Sequence, residues 1–214
     1  MVSLAGREKV MRTVQYWSRF FAFYLYRRGY SKETIAFWKN LQTQLATSRK
    51  LFRIGKPLTH AKLAVAAYAN KNEDLLVRLT TIGRQIGYFG YMALDTVMWL
   101  HAVRVKQFTP ERFGNIQKVA YRFWLFGLVS NLINSSRRYY RASASERALQ
   151  AENEKDEESA KKVCAEKRAA TKQFVWDLLD TAMPLSALKI VELDEGFVGL
   201  CGLITSLFGL KQVW

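Results

Sequence analysis

Apolar residues return at every third or fourth position along most of this chain, and only three prolines and twelve glycines interrupt 214 residues. This constrains the fold more than any other feature. Such spacing lays an apolar stripe along one side of a helix, and a chain poor in breakers has few places to turn between strands. No stretch alternates cleanly toward a hairpin turn, so the fold class expected is all-α. Val10, Val14, Trp17, Phe21, Tyr24 and Leu25 form the first stripe in a helix over 5–28, with Arg12 and Arg19 opposite. A second helix starts with Ser31 or Thr34 as its cap and ends near Gly55, because Pro57 disfavours a helical Lys56. Further helices are read over 58–69, 75–103, 115–133 and 171–183, the last stopped by Pro184.

Charge is spread unevenly over this pattern. The chain carries a formal +15, and residues 1–72 hold fourteen Lys/Arg against Glu8 and Glu33. The positive field therefore belongs to the N-terminal third and attracts anionic surfaces. Four regions follow: a basic amphipathic helical region (1–72), an apolar helical region that is a candidate for membrane embedding (73–135), a charged linker or surface helix (136–172), and an amphipathic helix followed by an apolar segment (173–214).

The segment FWKNLQTQLATSRKLFRIGK, residues 37–56, contains no acid. At 100° per residue Phe37, Trp38, Leu41, Leu45 and Phe52 fall within about 100° of arc, and Lys39, Arg49, Lys50 and Arg53 fall on the other side. A nucleic-acid helix would interleave its aromatics with its bases, whereas here they occupy opposite faces, so no nucleic-acid partner is expected. The alternatives are core packing and a helix lying in a membrane interface. In the second case the apolar arc inserts, and Lys39, Arg49, Lys50, Arg53 and Lys56 meet anionic lipid, at about 1 kcal/mol per base.

Residues 196–214 carry one charge, Lys211, and nineteen helical residues reach about 28 Å, so a C-terminal transmembrane segment is expected. Gly83 and Gly87, and Gly199, Gly202 and Ser206, are small residues at helix-packing spacing. Catalytic signals are weak. His60 and His101 are far apart, and neither has a second His or Cys at metal-ligand spacing. Cys164 and Cys201 form no paired motif, and no glycine-rich phosphate loop is present. Neither enzymatic activity, a metal nor a cofactor is expected. Asp95, in the apolar 75–103 stretch, is either functional or paired with Arg84 or another base inside a bundle.

Several runs resemble a known family. Gly6-Arg-Glu-Lys-Val10, Met11-Arg-Thr-Val-Gln-Tyr-Trp-Ser-Arg-Phe20 and Tyr24-Leu-Tyr-Arg27 resemble the opening of the eleventh peroxin, the fungal peroxisome-proliferation family. Thr47-Ser-Arg-Lys-Leu-Phe-Arg-Ile-Gly-Lys56 with His60 is similar to its second signature, although Thr59 stands where an acid is expected. Gly83-Arg-Gln-Ile-Gly-Tyr88 with Tyr91, Met92 and Asp95 is similar to a third, and 196–214 resembles its C-terminal membrane segment. The resemblance implies a peroxisomal membrane protein that elongates or tubulates the membrane before fission by inserting the helix over 34–54. It also implies self-association and co-operation with a dynamin-related GTPase and its adaptors. A pore for small metabolites is the alternative, with Arg84, Asp95 and Arg122 lining an aqueous path.

Overall fold

In the computed structural model, which describes residues 4–151 and 157–212, the described residues are helical, with no strand among them. Seven helices follow in order: α1 (Leu4–Arg27), α2 (Lys32–Leu51), α3 (Lys56–Ala69), α4 (Leu75–Ala102), α5 (Pro110–Ala151), α6 (Glu157–Ala187) and α7 (Glu195–Leu210). Local chemistry sets their ends. The Ser31 hydroxyl accepts from the Thr34 amide at the start of α2, Asp74 accepts from Val77 at the start of α4, and Asp194 accepts from Phe197 at the start of α7. Gly29 and Gly55 take φ of +74° and +89°, the left-handed turns that stop α1 and start α3.

Each helix runs antiparallel to its main neighbour. Glu8 meets Arg49 and Phe21 meets Trp38 between α1 and α2. Gly83 faces Ser130 and Gly90 faces Phe123 between α4 and α5, while Gly199 faces Phe20 and Gly209 faces Lys9 between α7 and α1. Asn131 meets Asp177 and Glu146 meets Lys167 between α5 and α6. With α6 against α7 and α2 touching α4, the helices α2, α1, α7, α6, α5 and α4 close into a ring, and α3 lies outside on α4. A small apolar core of Tyr16, Tyr91, Met98, Trp124, Leu128, Met183 and Val198 fills part of its centre.

Several sequence expectations change here. α6 passes through Pro184, which sits fully buried, and ends three residues later at Ala187. The 115–133 helix is one part of a 42-residue α5 that continues into the charged region. The expected charged region, 136–172, spans the end of α5 and the start of α6, and residues 152–156 of it lie outside the described residues. The expected C-terminal membrane span is not supported. α7 has 16 residues, about 24 Å, and no helix among the described residues is long and apolar enough to cross a membrane. One side of α7 is spoken for, because Gly196, Gly199 and Gly202 press against Phe23, Phe20 and Tyr16 of α1. The end of the expected span, residues 213–214, lies outside the described residues.

The apolar stripes point outward. Val10, Val14, Trp17 and Tyr24 of α1 are exposed, while Leu25 at the edge of that stripe and Glu8, Gln15 and Ser18 are buried. The same outward placement recurs at Leu75, Leu79, Ile86 and Phe89 of α4, at Val119, Phe123 and Phe126 of α5, and at Phe197, Leu200 and Leu207 of α7. This reverses the arrangement of a globular bundle in water.

Small residues permit the α4–α5 approach. A Cβ on Gly87 would lie 2.6 Å from both the Cα and the amide nitrogen of Gly127, so the two backbones must separate to admit it. Gly87→Ala is expected to lower unfolding stability by about 1–3 kcal/mol, read as a lower melting temperature by circular dichroism in detergent. Gly114→Ala, whose Cβ meets nothing within 4 Å, should be close to neutral.

Candidate functional site: a charged interior under helix 2

The inward faces of α1, α2, α4 and α6, with Lys56 and His60 from the start of α3 and Tyr121 and Trp124 of α5, surround a cavity of about 630 Å³. Its walls are charged. Glu8 Oε1 accepts from Arg49 Nε at 2.9 Å and from Nη2 at 2.8 Å, and Gln15 Oε1 accepts from Arg49 Nη1 at 2.5 Å. Asp95 lies 2.6 Å from Arg53 Nη2 and 3.6 Å from Lys50 Nζ. The Arg53 contact is a close charge contact rather than an aligned hydrogen bond, because Asp95 Oδ2 finds no aligned donor. Arg12 Nη2 donates to Asp180 at 2.7 Å and to Thr205 at 3.0 Å, which ties α1 to α6 and α7. At the rim Arg19 reaches Glu195 at 2.7 Å.

Burial works against the Glu8 carboxylate, but Arg49 and Lys9 beside it more than offset burial and hold its pKa at about 2. The bases show the other side of this balance. Arg49 is pushed below its ordinary value by burial and by Arg53, Lys50 by burial, and Lys9 by burial and by Arg12. The Glu8–Arg49 pair therefore favours its acid, because one carboxylate is shared among several bases. Asp177 is pushed upward by burial and has amide partners, Gln173 and Asn131.

The sequence-predicted residues are distributed as follows. Lys39 is exposed. Arg49, Lys50 and Arg53 turn inward onto Glu8 and Asp95, and Lys56 lines the cavity. Phe37 is 60% exposed, whereas Trp38 folds back edge-on against Phe21 of α1, with ring centres 4.9 Å apart. Leu41, Leu45 and Phe52 are half-buried. Gly83 and Gly87 face α5, Gly199 and Gly202 face α1, and Ser206 is fully buried with its hydroxyl donating to the Gly202 carbonyl. Asp95 is paired by Lys50 of α2 and Arg53 just beyond it, and not by Arg84, whose guanidinium lies over the Tyr88 ring.

Sequence reasoning missed Glu8, Arg12, Gln15 and Asp180 as interior partners. One signal was available: Arg49 falls only about 20° beyond Trp38 on the helical wheel, at the border of the apolar arc. His60 hydrogen-bonds Gln85 at 2.7 Å, and His101 Nδ1 accepts from the Phe108 amide. No group of His, Cys, Asp and Glu among the described residues suits a metal ion.

A ring of amphipathic helices, apolar outside and charged inside, is the make-up of a protein that resides at a membrane. Residues 2–214 match the family model described as Peroxisomal biogenesis factor 11 (PEX11), and the chain belongs to that family. It is similar to peroxisomal membrane protein PMP27 of Saccharomyces cerevisiae, 31% identical over 98% of this chain and 89% of that protein. It is also similar to peroxisomal membrane protein PMP30A of Candida boidinii, 28% identical over 99% of this chain and 90% of that one. Human peroxisomal membrane protein 11A is 24% identical, covering 97% and 91% respectively. No solved structure matches. The chain is thus a peroxisomal membrane protein of a family involved in peroxisome proliferation.

The Glu8 pairing makes a prediction about acid. Because the folded pKa lies below the ordinary 4.5, its contribution is complete above pH 4.5 and is lost as pH falls toward about 2. Glu8→Gln should lower stability by about 3–5 kcal/mol at neutral pH. Its melting temperature should also fall less than the native chain's over that window, by circular dichroism in detergent.

Proposed function

We propose that this chain is a non-catalytic membrane-shaping protein that elongates peroxisomes into tubules before fission. The observation that carries the reading is the outward apolar surface of α1, α4, α5 and α7 set against the inward charges. Apolar area moved from water into lipid is worth roughly 25 cal/mol per Å², so such a surface favours residence in a bilayer. Helix α2 supplies the wedge, with Phe37, Trp38, Leu41, Leu45 and Phe52 entering one leaflet and expanding it. Lys39 is placed to meet lipid phosphate as the helix stands. Arg49, Lys50 and Arg53 do so by exchanging Glu8 and Asp95 for lipid phosphates, with Lys56 following. Gly29 and Gly55 flank α2 as hinges, each left-handed and with open space where a Cβ would sit. Self-association through the exposed apolar strips, and work with a dynamin-related GTPase and its adaptors, complete the proposal.

On vesicles containing anionic lipid, the full-length chain should bind and draw tubules visible by electron microscopy. Asp95→Asn releases Lys50 and Arg53 and should increase tubulation, while Phe37→Glu should weaken vesicle binding about tenfold or more. Unchanged or reduced tubulation by Asp95→Asn counts against the exchange of partners. A native chain that leaves vesicles round removes the reading.

A metabolite pore is the second reading, favoured by the polar cavity enclosed by helices with apolar outer faces. Purified protein in planar bilayers should then conduct, and Asp95→Ala should change the conductance; a silent bilayer removes this reading.

A further inference from the structure

Eight bases and five acids line the cavity, among them Lys9, Arg12, Arg49, Lys50, Arg53 and Lys56 beside Glu8, Asp95 and Asp180. The ion pairs engage four of these acids, and the fifth, Asp177, is held by the amides of Asn131 and Gln173. Arg12, Arg49, Lys50 and Arg53 take the short contacts, and Lys9 reaches Glu8 only at 4.0 Å. Lys56 has no acid within ion-pair distance among the described residues, and the buried Nε groups of Arg12 and Arg53 donate to nothing. A positive excess held partly out of water is unfavourable unless an anion completes it.

The cavity is large enough for such an anion with an organic body. Its volume, about 630 Å³, lies in the range of small-molecule sites. Tyr88, Tyr91, Met92 and Trp124 line the same space and offer apolar contact. Chloride would leave most of it unfilled. A phosphate group brings two charges and three acceptor oxygens, which suits several converging cations better than a single carboxylate does. We propose that the interior cavity binds a phosphate-bearing small molecule, with Lys9 and Lys56 as the cations that face it. Lys9 and Lys56 are each held below the ordinary lysine value by burial, and a bound dianion would reverse that shift. The proposal stands apart from membrane shaping and does not rest on it.

The test uses the full-length chain in neutral detergent, with pyrophosphate as the probe and chloride at matched ionic strength as the comparison. Pyrophosphate should raise the melting temperature saturably, and calorimetry should give a single site. Lys9→Gln with Lys56→Gln should weaken that site about tenfold or more with helical content unchanged. Lys161→Gln with Lys162→Gln, an exposed pair on α6, should leave it intact. Adding vesicles of phosphatidylcholine with phosphatidic acid then identifies the source: competition assigns a lipid headgroup, and its absence assigns a free phosphorylated molecule. Stabilisation no greater than that by chloride, or equal binding by the native chain and the Lys9/Lys56 variant, overturns the proposal.

Discussion

Two carboxylates, Glu8 and Asp95, hold helix 2 to the rest of the molecule. Between them they face Arg49, Lys50 and Arg53, and all five side chains are largely withdrawn from water. A buried charge without a partner costs several kcal/mol, so these groups must be together or not inside at all. Once they are inside, the faces of α1, α2 and α4 that carry them must turn inward. The apolar stripes on the remaining faces must then turn outward. The inverted surface of this protein is thus a consequence of where its charges find partners.

The same constraint links the structure to the membrane. A helix with charge on one side and apolar residues on the other can satisfy the charge with lipid phosphates or with carboxylates of its own chain. Here α2 has taken the second course, while α1, α4, α5 and α7 show their apolar sides to the surroundings. Small residues make the tight seams possible. Gly87 against Gly127 lets α4 and α5 meet backbone to backbone, Gly199 does the same for α7 on the Phe20 backbone of α1, and Gly202 makes room for the Tyr16 ring. The ring then holds a polar space beside its small apolar core.

Much of the helical layout was legible in the residues. The cap at Ser31 follows from local chemistry, as does the long helix beginning near Leu75, whereas α2 stops at Leu51, short of Gly55, and Lys56 is helical because Pro57 is accommodated in the first turn of α3. The small-residue positions on α4 and α7 were visible as spacing. Helix ends governed by tertiary packing were not visible: α6 continues through the fully buried Pro184, and α5 runs on through a charged region. The side-chain partners were the least legible. Arg12 with Asp180 joins residues 168 positions apart, and no local pattern encodes such a pair.

By itself the sequence determined that the chain is helical, that its N-terminal third is strongly basic, and that each of the first helices is two-sided. Those properties depend on spacing along one element, which is readable residue by residue. Only the tertiary structure decided which side faces in. Arg49 and Arg53 have a basic face's usual claim on solvent or lipid, but Glu8 and Asp95, on two other helices, compete for them at hydrogen-bond or contact distance. Coulombic attraction at such distances in a poorly solvated interior outweighs the preference of an amphipathic helix for burying its apolar arc. That is why α2 lies turned, with Trp38 folded onto Phe21 and Phe37 facing outward.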